Sequence, residues 1–216
     1  TSSADGLTSA DNYLACLFET EQSEELTSVV TEPELRPDLV DLRVDYMITV
    51  PRGTDLALNV SNGNVWVAPG CRHVTVEGNN TDVKILNPSG KVGVKAINGR
   101  IRALECADET VLETVNGSIL VSLSQGALQA STVTGAITAT LLESGVTECD
   151  LTSLNGSITL VMSEHLSVAV NAATARGAVR AEIPMESVYS SHRRGEMRGS
   201  YGQGDTKVSA NSMNGD

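Results

Sequence analysis

The side chains of this 216-residue chain that could ligate a metal, close a disulfide or move a proton are four cysteines, three histidines and a spread of carboxylates. Cys16, Cys71, Cys106 and Cys149 contain no Cys-x-x-Cys pair, so a zinc site has little support. Their even number would fit two disulfides in an exported protein. His73, His165 and His192 each stand alone on an expected corner or loop, which suits an ordinary surface side chain better than a ligand or general base. Ser153 and Ser157 flank Asn155-Gly156 without the Gly-x-Ser-x-Gly elbow that presents a nucleophilic serine. Glycan cleavage needs paired carboxylates on one face of a groove. The acids Glu77, Asp82, Glu105, Asp108, Glu109, Glu113, Glu143, Glu148, Asp150 and Glu164 are scattered instead, and the densest run, Glu105 to Glu113, falls at a short turn as solvated charge. The expectation is no catalytic, cofactor-binding or metal site: the chain is not an enzyme.

Composition narrows the partners. A net charge of -12 disfavours wrapping of nucleic acid. No window approaches the roughly 20 apolar residues of a membrane span, and the first residues lack the basic and apolar parts of a signal peptide. With 40% hydrophobic but 3% aromatic residues, the chain should fold without the aromatic-rich core of a compact enzyme. Residues 1 to 50 hold eleven acids against Arg36 and Arg43, whereas the rest is nearly balanced. Residues 1–38 are therefore expected to form an acidic, partly flexible segment or cap, with a short helix or edge strand around Tyr13, Leu14 and Phe18. From Leu39 the alternation Val40, Leu42, Val44, Tyr46, Ile48, Val50 reads as a strand.

The elements that would position any site come from an internal repeat. A corner, usually Asn-Gly, recurs at Asn62-Gly63, Asn98-Gly99, Asn116-Gly117, Thr134-Gly135, Asn155-Gly156, Arg176-Gly177 and Asn214-Gly215, with Asn80-Thr81 in the slot between the first two. The spacings are 18, 18, 18, 18, 21, 21 and 38, and Arg194-Gly195 could divide the last into two turns. Alternating aliphatic residues keep register on both sides, for example Val74, Val76, Val83 and Ile85, then Ile119, Val121, Ile137 and Ala139. Two short strands per corner, each with one apolar face, can bury that face by stacking on the next copy about 4.8 Å away. The fold class expected is all-β, a single-stranded parallel β-helix, or β-solenoid, with coils of about 18–21 residues over 39–216 and the last coil incomplete at Asp216. Roughly eight or nine coils would make a rod of about 40 Å. Asn62, Asn80, Asn98, Asn116 and Asn155 would form a hydrogen-bonded ladder.

Two other architectures meet this pattern less well. Asn-Gly is a strong hairpin signal, but a meander would place turns twice as often. The hexapeptide helix of acyltransferases needs an aliphatic residue every six positions, and from Ile101 the series Ala107, Glu113, Ile119, Gln125, Ser131, Ile137 supplies only every third. Stacked coils also separate the cysteines. Cys71 and Cys106, like Cys106 and Cys149, would lie about 10 Å apart along the axis, beyond the ~7 Å a disulfide tolerates. Cys149 falls in an inward column as a buried thiol, leaving Cys16 with Cys71 as the one bridge to consider. The glycosylation triplets at Asn59, Asn79, Asn116 and Asn155 mostly overlap corners, so turn geometry explains them.

The segment Val50-Pro51-Arg52-Gly53-Thr54 leading to Asn62-Gly63 resembles the entry of the bacterial adhesin domain family, β-solenoid repeat proteins of mostly unknown function. Residues 183–216 are similar to its terminal region: an Ile-Pro exit, an Arg-rich stretch, the run Gly199 to Gly204 and a returning strand that ends in Asn214-Gly215. The resemblance covers roughly residues 40 to 216 and implies a parallel β-helical fold at the cell envelope or surface, extracytoplasmic, with no catalytic signature. The function expected is a rigid spacer, adhesion or interaction module. A glycan-active or glycan-binding β-helix is the first alternative. The second is a filament subunit that associates end to end through an open edge after Asp216. Partners would be surface glycans or other envelope proteins. The basic residues His192, Arg193, Arg194, Arg198 and Lys207 could dock acidic polymers, although a solvated loop is the plainer reading.

Overall fold

A computed structural model describes residues 16–22, 27–33, 48, 50–182, 184, 186–191 and 195–215. The chain divides into two compact units, Thr1–Thr49 and Val50–Asp216. In the first, β1 (Cys16–Gln22) pairs antiparallel with β2 (Thr27–Pro33), so the segment around Phe18 is a strand of a hairpin. Tyr13 and Leu14 lie outside the described residues, as does most of the strand expected from Leu39. Ile48, which that strand would have included, is 51% exposed and in no strand.

The second unit is the expected β-solenoid, of about six turns. Its strands are β3 (Leu56–Val67), β4 (Val74–Leu86), β5 (Val92–Asn98), β6 (Ile101–Cys106), β7 (Thr110–Asn116), β8 (Ile119–Thr134), β9 (Ile137–Asn155) and β10 (Ile158–Met162), followed by β11 (Val168–Arg176), β12 (Glu186–Ser191), β13 (Glu196–Tyr201) and β14 (Thr206–Asn214). Each turn has a leading strand before the corner and a trailing strand after it. Leading strands stack in parallel at a residue offset of 18, as in Val74↔Val92 and Val92↔Thr110, and trailing strands do likewise, as in Val83↔Ile101 and Ile101↔Ile119. The 21-residue turn arises between β8 and β9. The pairing shifts by two residues between Leu123↔Leu141 and Gln125↔Gly145 and by one more between Gly126↔Val146 and Ala127↔Glu148, so the three extra residues are taken up as bulges within β9 without disturbing the columns on either side.

Alternation puts every second aliphatic residue inside. Val74, Val76, Ile85, Val94, Ile101, Ala103, Val121, Ile137, Ala139, Cys149 and Leu151 are fully buried, and rows of Val, Ile, Leu and Ala fill the shaft. Each such side chain contributes about 1.5–3 kcal/mol relative to exposure. Because a single turn has no second layer of its own, this burial exists only in the stack.

The far end departs from a simple coil. β14 lies between β9 and β11, pairing in parallel with both (Val208↔Cys149 and Val208↔Val170). The strand that ends in Asn214-Gly215 is thus paired on both edges. Gly195 is no coil corner either, because β12 and β13 form an antiparallel hairpin that pairs with β11 through β13. Val179 and Ala181, expected as inward residues after Arg176-Gly177, are half-buried and exposed and belong to no strand. The solenoid has about six turns where eight or nine were expected.

Candidate functional site

The corner column is held by side chains rather than by backbone alone. Asn80 Nδ2 donates to Asn62 Oδ1 (2.7 Å), Asn98 to Asn80 (2.8 Å) and Asn116 to Asn98 (3.0 Å). Thr134 interrupts the ladder. It resumes where Asn214 donates to Asn155 (2.8 Å), a pair that depends on β14 lying directly above β9. Asn116 and Asn155 are therefore spent in the ladder, while Asn59 and Asn79 of the glycosylation triplets are exposed outside it.

Two positions before the corner is a second column that sequence reading missed. The hydroxyls of Thr132, Ser153, Ser212 and Thr174 donate to the carbonyls of Gly117, Gly135, Gly156 and Gly215, each in the neighbouring rung. The signal was present: Thr114, Thr132, Ser153, Thr174 and Ser212 all precede a corner by two, where a plain core column would carry aliphatic residues. Glycine carbonyls turned toward the shaft need donors, and a buried hydroxyl supplies one.

Outward positions flanking that column define a shallow open groove of ≈ 680 Å³ across five rungs. One wall carries Asn59, Glu77, Lys95, Glu113 and Ser131, and the other Ile97, Val115 and Val133. The aliphatic wall continues beyond the groove through Leu154 and Met213, so five successive rungs each leave a large apolar side chain between 39% and 52% exposed. Lys95 Nζ is 3.5 Å from Glu113. Glu77 and Glu113 lie two rungs apart, about 9.6 Å, with Lys95 between them. That separation lies at the upper limit for an inverting glycosidase pair, about 9.5 Å. A general acid, however, needs a carboxyl withdrawn from water, and Glu77 is exposed.

Other residues of the sequence reading are dispersed. Lys91 reaches Glu109 (2.7 Å), and Arg72 clamps Asp55 with two bonds of 2.8 and 2.6 Å. Lys84 lies 5.6 Å from the Trp66 ring centre, again one rung away. Part of the dense acidic run thus ties rung to rung. The Arg72 guanidinium holds the Asp55 carboxyl down at about 2. His73 Nδ1 accepts from the Lys91 backbone N–H (2.9 Å), His165 is exposed, and His192, Arg193 and Arg194 lie outside the described residues. Arg198 and Lys207 are exposed on β13 and β14. Ser153 is committed to Gly135, and Ser157 is exposed. Cys71, Cys106 and Cys149 are buried free thiols, and the side chain of Cys16 lies outside the described residues. Burial pushes the Cys106 thiol up to about 11 and Cys149 to about 12. Among the described residues no three His, Cys, Asp or Glu gather as a metal site. No helix there is long and apolar enough to cross a membrane.

The family model Toastrack DUF4097 matches residues 42–216, the stretch that holds this repeat-built, all-β shaft. The chain belongs to the Toastrack DUF4097 family. Its boundary at 42 lies close to the roughly 40 expected from the resemblance, and the whole described solenoid falls within it. No curated protein and no solved structure matches the chain. Membership in the Toastrack family carries the fold, and the adhesin label does not come with it.

Proposed function

We propose that this Toastrack protein is a non-catalytic interaction and spacer module of the cell envelope or surface, which binds an extended polymer along its corner-side groove. The observation that carries the reading is a column of polar side chains over five rungs, with an amide, a hydroxyl and opposed charges, faced over three of them by the aliphatic Ile97, Val115 and Val133. A repeated strip of this kind offers the same contact every 4.8 Å or so and suits a chain-like ligand, a surface glycan or the extended part of another envelope protein. Extended apolar strips on a protein surface mark interaction sites. The extracytoplasmic setting is supported by the resemblance of residues 50–54 and 183–216 to bacterial adhesin domains.

The spacing of Glu77 and Glu113 favours one second reading, a glycan-active β-helix. A single experiment separates the two. The protein is applied to immobilised polysaccharides and to surfaces of cells that express it, with retention and the release of reducing ends followed together. Retention without release, lost in Val115→Lys and Val133→Lys, is expected. Release of reducing ends that disappears in Glu113→Gln replaces the module with an enzyme, and absence of retention on every surface overturns the binding role.

A further inference from the structure

Several cations of the solenoid meet a carboxylate one rung away: Arg72 with Asp55, Lys91 with Glu109 and Lys95 with Glu113. The outward face of the trailing strands breaks this pattern. One of its columns runs Trp66, Lys84, Arg102, Leu120 on successive rungs, with Trp66↔Lys84, Lys84↔Arg102 and Arg102↔Leu120 in register. Lys84 and Arg102 are thus direct cross-strand neighbours of like charge, an arrangement that costs stability. Arg100, exposed directly before β6, adds a third cation to the same face, since residues two apart point the same way. None of the three forms an ion pair among the described residues. The neighbouring acid is Asp82, whose carboxylate accepts from the Arg100 backbone N–H (2.7 Å). Where a sequence keeps a locally unfavourable pairing, a ligand that relieves it is the natural reason.

We propose that this face binds an acidic polysaccharide, with a sugar ring stacked on Trp66 and ring carboxylates held by Lys84, Arg102 and Arg100. The site lies across the Asn corner from the groove, and it depends neither on the groove nor on the function assigned to it.

The aromatic residue selects the ligand. Trp66 is the one tryptophan of the chain, and it is 72% exposed. The C–H groups on the face of a sugar ring carry partial positive charge and stack on the negative face of an indole. Lys84 Nζ is 5.6 Å from the ring centre, close enough for one sugar unit to touch the indole and present its carboxylate to the ammonium. Arg102, about 4.8 Å farther along, can take the carboxylate of a following unit in two parallel bonds. Leu120, 37% exposed, prolongs the column to about 14 Å from Trp66 and offers an apolar contact to another ring.

Nucleic acid fits this face less well. A single strand carries a phosphate about every 3.4 Å and is held by successive aromatic platforms. Here one indole stands beside three cations in a chain of net charge -12. A uronate polymer is less densely charged and brings the ring faces that Trp66 can cover.

Because Trp66 is the one tryptophan, its fluorescence reads the site directly. The intact chain is titrated with hexamers of β-linked glucuronate, galacturonate and mannuronate, and with cellohexaose, which has the glucuronate backbone without carboxylates. A saturable change in emission is expected with at least one uronate, and binding of the neutral hexamer should be about ten-fold weaker or more. Arg102→Gln should weaken uronate binding about ten-fold while the urea midpoint stays equal or rises, since the like-charge pair is relieved. Trp66→Phe should weaken it as well when followed by calorimetry. Lys91→Gln removes a cation already paired with Glu109 and should leave binding unchanged. Absence of a response to all three uronates, an equal response to cellohexaose, or equal losses in Lys91→Gln and Arg102→Gln overturns the proposal. So does tighter binding of oligothymidylate or of polyglutamate, since either would give the face to a different polymer.

Discussion

At the scale of single residues, the corner is where sequence and structure agree most closely and where one residue is out of place. Asn98 both donates to Asn80 and accepts from Asn116, so Asn98→Ala removes two ladder bonds. Each exposed bond is worth about 0.5–1.5 kcal/mol, and a loss of about 1–2 kcal/mol in urea unfolding is expected. Thr134 is the converse case. It stands between Asn116 and Asn155 in register, and Thr134→Asn would join the two halves of the ladder, raising stability by roughly 0.5–1 kcal/mol. A neutral or negative effect would mean that the ladder follows the corner rather than stabilising it. The ladder was legible because asparagine identity repeats at a fixed offset. The Thr and Ser column beside it repeats as clearly and was passed over, because hydroxyls at alternate positions look like ordinary strand polarity until the glycine carbonyls they serve are located.

The thiols belong to the same scale. In the folded state burial lifts Cys106 from an ordinary 9.0 to about 11 and Cys149 to about 12, so the folded protein holds these protons more tightly than the unfolded chain. A raised value contributes stability that is whole below about 9 and drains away as pH climbs toward 11 and 12. Thermal unfolding followed between pH 8 and 11 should show a falling midpoint, and Cys106→Ala together with Cys149→Ala should flatten the fall. Neither thiol should react with a thiol reagent at pH 8 without denaturant, and prompt labelling of Cys149 would contradict its place in the shaft.

At the scale of the element, glycine at the corner answers two demands. Gly99 has a φ of 135°, which a side chain rarely adopts. Gly117 has no such dihedral, yet a methyl group there would run into the carbonyl oxygen of Gly99 one rung below. The turns stack backbone on backbone, and close approach, not only dihedral freedom, selects glycine. Gly117→Ala should therefore cost about 3 kcal/mol or more, at the high end for a single change, because a fixed backbone must move. Gly53→Ala makes a useful control, since a methyl there meets nothing within 4 Å and only its φ of 80° opposes it. If both variants unfold at the same urea concentration, stacking of the corners is not what glycine provides. From sequence, Asn-Gly spoke of a turn; the contact between turns could be inferred only after the 18-residue offset was accepted as stacking.

For the whole solenoid unit, the columns were legible and the order of the rungs was not. Any strand with apolar residues at alternate positions and a corner at its end fits any level of the shaft, so nothing local distinguishes β14 on β9 from β11 on β9. The Asn pair gives one physical reason for the observed order: Asn214 on Asn155 forms a ladder bond that Arg176 could not. Thr206 adds a second, since its hydroxyl donates to the Val146 carbonyl (2.6 Å) within the interior. With β14 between β9 and β11, β11 and β13 reach the rest of the stack through β14. A stack of nearest-neighbour layers transmits damage only to the layers beyond the break. Removing residues 206–216 should accordingly raise amide exchange in β11 and β13 by orders of magnitude, while β4 through β8 keep their protection. Hydrogen exchange read by mass spectrometry resolves these segments. If instead β11 drops onto β9 and regains protection, the threading is a matter of which strand arrives first. A uniform loss across all rungs would show that the solenoid unfolds as one unit, with β14 as its closing strand.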